Sequence, residues 1–98
     1  MPTIKKLAMP LLNLNGSSAD DLLSQLSEAC LAVGTAQGAL ANATPHGRDY
    51  QHNPGDYQLA REQHEARMLA LQAISDELEA IATNIYDQQA ERQSRRRR

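Results

Sequence analysis

The sequence predicts an all-α protein: a long antiparallel helical hairpin with an extended N-terminal arm, packed in a larger helical oligomer. Three observations carry that expectation. Apolar residues recur at alternating spacings of three and four over two long stretches, which is the signature of a helix face. Strand signals, meaning β-branched residues in period two, are nearly absent. The span "PHGRDYQHNPGDYQ" at residues 45–58 concentrates turn formers between the two stretches. With 98 residues, no Phe and no Trp, the chain suits a single domain whose core is Leu, Ile, Val and Ala on packed helices.

The elements follow in order. Residues 1–16 read as an extended arm, because Pro2 and Pro10 forbid a continuous helix. Leu7, Met9, Leu11, Leu12 and Leu14 give that arm apolar contacts to offer. Residues 17–91 are the hairpin. Its first helix, about 18–43, opens on "NGSSADDLL": Gly16 breaks, Ser17 or Ser18 caps, and Asp20 and Asp21 suit the positive end of the helix dipole. Its seam runs through Ala19, Leu22, Leu26, Ala29, Val33, Ala36, Leu40 and Ala43, with Leu22, Leu26, Val33 and Leu40 as its core. Pro45 ends it, since the residue before a proline avoids helical geometry.

The loop is 44–55 and the second helix about 56–91. Asn53 or Asp56 caps that helix, and Pro54-Gly55 supplies the turn. Its seam is Ala60, His64, Arg67, Leu71, Ile74, Leu78, Ile81 and Ile85, with Leu71, Ile74, Leu78 and Ile81 as core. Folded back, Leu40 falls near Ala60 and His64, Val33 near Met68 and Leu71, and Leu26 near Ile74 and Leu78. Bulky residues then face alanines on the first helix.

The lengths do not match. Helix one spans roughly 25 residues, about 37 Å, and helix two overshoots it. Ile81, Ile85 and Tyr86 then need cover, either from the arm or from another subunit. Gly34 and Gly38 in "GTAQG" point the same way, because small residues four apart let helices touch. The expected protein interface is Leu11, Leu12, Leu14, Gly34, Gly38, Ile85 and Tyr86.

Charge is unevenly spread. Residues 1–91 hold five Lys or Arg against all twelve acids, a net −7, whereas 92–98, "RQSRRRR", is a basic C-terminal tail. An acidic body does not bind DNA broadly. Nucleic acid or an acidic surface enters only through Arg92, Arg95, Arg96, Arg97 and Arg98. Catalysis has no support: there is no phosphate-binding glycine loop and no nucleophile elbow. Cys30 reads as a small core hydrophobe. His46, His52 and His64 with Asp49 and Asp56 lack the spacing of a zinc site, so no metal, cofactor or small-molecule substrate is expected. Arg48 and Asp49 instead read as partners for the free groups at the helix ends, and Tyr50 and Tyr57 as a cover for the hairpin's open end. The N-terminal apolar stretch is broken by Pro10 and Asn13, so no secretion signal is expected, nor any membrane span.

The "NLNG" entry, the "GRDY" loop with its Pro-Gly, and the "EQHEAR" turn resemble a group of small helical proteins encoded by tailed bacteriophages and prophages. The resemblance covers about residues 12 to 82. It implies a setting among virion structure or assembly genes, in the virion or the host cytoplasm, and no catalytic residue. The expected function is a non-enzymatic structural or assembly role through helix–helix and arm contacts. Its partners are then further copies or other phage structural proteins. The alternative is a small regulatory or nucleic-acid-associated module that uses the arginine tail.

Overall fold

Ser18 sets the start of the first helix. Its Oγ accepts the Asp21 N–H at 3.1 Å and its carbonyl accepts the Leu22 N–H at 3.1 Å, which meets amides that no helical carbonyl can reach. The computed structural model describes residues 6–12 and 18–96, and the regular structure among them is helical throughout. Helix α1 runs Ala19–Asn42, 24 residues, with Asp20 and Asp21 in its first turn. It tightens as it ends: Ala43 N–H bonds the Leu40 carbonyl at 2.9 Å and Thr44 N–H the Ala41 carbonyl at 3.2 Å. The Thr44 hydroxyl also donates to the Ala41 carbonyl, and Pro45 follows.

The loop folds into a short 3-10 helix, Gly47–Tyr50. Helix α2 is Pro54–Arg96, 43 residues. Asn53 caps it, with Oδ1 3.4 Å and the carbonyl 3.1 Å from the Asp56 N–H. Pro54 therefore occupies the first helical position, where its missing N–H costs nothing. The helix begins ahead of the expected residue 56, and Pro54 and Gly55 lie inside it rather than forming a separate turn. It also runs past residue 91 through Arg92 and Arg95, because no Gly or Pro interrupts "YDQQAERQSRR". Arg48 and Asp49 are exposed; Thr44 and Asn53 satisfy the helix ends in their place.

The chain divides into two compact units. In Leu31–Ser75, the half-buried positions of α1 are Val33, Gln37 and Leu40. On α2 they are Tyr57, Ala60, Met68, Leu71 and Ser75, with His64 buried. The other unit holds the arm, the start of α1 and the end of α2. Its half-buried residues include Leu22, Leu26, Ala29, Cys30, Leu78, Ile81 and Ala82, and its buried ones are Leu12 and Ile85.

The inner face of α2 is rotated from the expected seam. Ser75 and Met68 face inward while Ile74 is 44% exposed and Arg67 is exposed. At 3.6 residues per turn, positions 74 and 75 fit equally well between Leu71 and Leu78. Hydrophobicity favours Ile74, yet Ser75 is the half-buried one of the two. On α1 the same substitution occurs: Gln37 turns inward and Ala36 is exposed, as is Ala43. The Gln37 amide donates to Gln72 Oε1 at 3.2 Å, so an amide pair stands where alanine packing was expected.

Candidate functional site

The best-defined site is the clasp that holds the arm. Asn84, Gln88 and Arg92 lie four residues apart on α2 and so share one stripe. The Gln88 amide spends every group it has. Its Oε1 accepts the Leu12 N–H at 3.0 Å, and its Nε2 donates to the Pro10 carbonyl at 2.8 Å and to Asn84 Oδ1 at 2.7 Å. The arm's own polarity fixes the orientation of that amide, since only oxygen can accept and only nitrogen can donate. One turn on, the Arg92 guanidinium donates to the Leu12 carbonyl, a charge-assisted bond.

All three arm groups belong to the backbone, and the spacing from residue 10 to residue 12 matches the repeat of an extended segment. The apolar part is equally local. Leu12 is 7% exposed and Ile85, one turn before Gln88, is fully buried. A shallow recess of about 320 Å³ continues between Leu11, Leu12, Glu91 and Arg95. Arg95 there pairs with Glu91 at 3.1 Å, with both side chains exposed, a geometry that contributes little to stability.

A second cluster lies in the Leu31–Ser75 unit. His64 Nε2 is 3.2 Å from Thr44 Oγ1. Thr44 Oγ1 is shared between this ring and the Ala41 carbonyl. Tyr57 stacks at a tilt on Tyr50, with centroids 5.9 Å apart. Arg61 lies 5.7 Å from the Tyr57 ring centre. A Cβ at Gly47 would meet that ring at 3.5 Å, ordinary contact, so the loop rests directly on Tyr57. An open groove of about 340 Å³ runs past Thr44, Pro45, Arg61, His64 and Met68. Among the described residues no three His, Cys, Asp or Glu side chains come together to hold a metal ion. No buried side-chain polar atom among them lacks a partner. Nor is any helix among them long and apolar enough to cross a membrane.

No family model, curated protein or solved structure matches the chain.

The expected interface residues separate into three kinds. Leu12 and Ile85 are buried by this chain itself, so they are not free for a neighbour as it stands. Leu11 at 81% and Tyr86 at 59% remain exposed. Gly34 and Gly38 are exposed, and a Cβ on either would meet no atom within 4 Å. Leu14, Arg97 and Arg98 lie outside the described residues, as does the side chain of Arg96. Of the expected tail, Arg92 is committed to the arm and Arg95 to Glu91. Sequence reasoning missed Gln88 and Asn84 altogether. The available signal was an amide stripe at four-residue spacing beside Ile81 and Ile85, on a helix segment otherwise read only for its apolar residues.

Proposed function

We propose that this protein is a non-enzymatic structural or assembly component of a bacteriophage particle. In this reading α1 and α2 form an antiparallel hairpin, and several hairpins pack through helix–helix and arm contacts, with copies of the same chain or with other phage proteins as partners. One observation carries it. Among the described residues only Leu12 and Ile85 are buried apolar side chains, whereas Leu11, Leu31, Leu59, Leu69, Ile74 and Tyr86 are large and exposed. Full burial of such a side chain contributes roughly 1.5–3 kcal/mol, so a small chain with so little of it gains most from a neighbour. The paired residues support the hairpin, since Gln37 meets Gln72 and the later Thr44 meets the earlier His64. The bacteriophage setting rests on the resemblance of residues 12 to 82 alone.

Two measurements test the reading. Sedimentation of the full chain at micromolar concentration is expected to show a defined oligomer; a thermally robust monomer contradicts self-assembly. Mass spectrometry of particles produced from the encoding genome is expected to find the protein in many copies. Its absence from particles during and after assembly contradicts the structural role.

A further inference from the structure

We propose that two unlike faces of the Leu31–Ser75 unit dock on each other between copies of this chain. Arg67 and Ile74 of one copy enter the groove beside Thr44 and Met68 of the next. The inference rests on the assembly reading above and adds the surfaces and their order. The groove, of about 340 Å³, has an apolar side made by Ala41, Pro45 and Met68. Gly34 and Gly38 stand seven and three positions before Ala41, on the same stripe of α1, and a Cβ on either would meet no atom within 4 Å. The surface beside the groove is therefore open to the approach of another helix.

Charge selects the occupant. Three charged side chains line the groove, Arg61, Glu62 and Glu65, one cation against two acids. Arg61 lies over the Tyr57 ring, and Glu62 accepts a hydrogen bond from Gln58 at 3.2 Å. Glu65 has no hydrogen bond or ion pair among the described residues. The matching cation is on the far side of the same helix. Arg67 is exposed, and among the described residues it too has no ion pair. Positions 65 and 67 are about 200° apart around the axis, so they do not face each other within one copy. Ile74, 44% exposed, follows Arg67 by seven positions, about 10 Å along one stripe. An apolar knob and a free cation thus face one way, and an apolar recess with a free acid faces the other. A contact between unlike faces repeats from copy to copy and gives a ring or a filament, which suits a component present in many copies.

The test uses full-length chains and sedimentation equilibrium. Glu65→Arg and Arg67→Glu each set like charges across every such contact, so each alone is expected to associate roughly tenfold more weakly than the parent. Mixed one to one, the two variants place opposite charges at every contact between unlike chains. The double variant Glu65→Arg, Arg67→Glu does the same on its own. Both samples are expected to recover the parent's association. Ile74→Ser is the uncharged probe and should weaken association about tenfold, through loss of apolar burial. All three residues are exposed, so circular dichroism of each variant should match the parent; loss of helical signal in any of them shows that its residue is not on a free face and overturns the proposal. So does any single variant that associates like the parent, and so do a mixture and a double variant that stay as weak as the singles. If the parent is still an oligomer in those cases, subunit assembly stands and this contact alone has failed. If the parent is a monomer, both have failed.

Discussion

Gln88 illustrates how one side chain can replace a strand. Its amide pairs with two backbone groups of the arm and is itself steadied by Asn84. A net hydrogen bond contributes about 0.5–1.5 kcal/mol, so Gln88→Ala is expected to cost about 1–3 kcal/mol and to release the arm. Gln88→Glu should not rescue it. The carboxylate still accepts the Leu12 N–H but turns an oxygen toward the Pro10 carbonyl and Asn84 Oδ1. Amide hydrogen exchange at Leu12 reads this directly: faster in both variants confirms the clasp, and unchanged exchange in both shows that Gln88 does not hold the arm.

At the level of the element, the register of α2 decides which residues matter. Ile85 is fully buried and Ile74 is 44% exposed. Ile85→Ala is therefore expected to cost about 2–5 kcal/mol, and Ile74→Ala less than about 1 kcal/mol. Urea unfolding of the two variants separates them, and equal losses would mean that the face is the one centred on Ile74. Much of this element was legible. The alternating spacing located both helices, Ser18 and Asn53 were named among the caps, and Pro45 marked the first helix end. The rotation was not legible, because Ile74 against Ser75, and Ala36 against Gln37, differ by one position within a face that tolerates either. Composition points to the apolar member of each pair. On α1 the amide bond to Gln72 goes with the polar one.

For the whole molecule, the glycines of α1 separate stability from association. Gly34 and Gly38 have open space where a Cβ would sit, and alanine is better than glycine in a helix by about 1 kcal/mol at each. The double variant Gly34→Ala, Gly38→Ala should therefore melt at a higher temperature. If that face receives another helix in the assembly, the same variant should dissociate at higher protein concentration. Thermal melting and sedimentation equilibrium on one sample check both, and stabilisation without any weakening would remove these glycines from the interface. The sequence posed this choice without resolving it. It identified residues that need cover around Ile85, and left open whether arm or subunit provides it. The answer depends on Gln88 and Arg92 finding backbone partners some 76 to 80 residues away, a pairing that no local pattern encodes.

A clasp that grips backbone places unequal demands on the two segments it joins. Pro10 gives up only its carbonyl to Gln88, so its missing N–H is no handicap there. Leu11 points into water and is free to change. Across diverging lineages the arm should therefore drift at its outward positions while keeping a leucine-sized anchor at position 12. Residue 88 should tolerate almost nothing but glutamine, because few other side chains present a donor and an acceptor at that reach. The specification of the contact is carried by the helix, and the arm is left as the part that can acquire a new address.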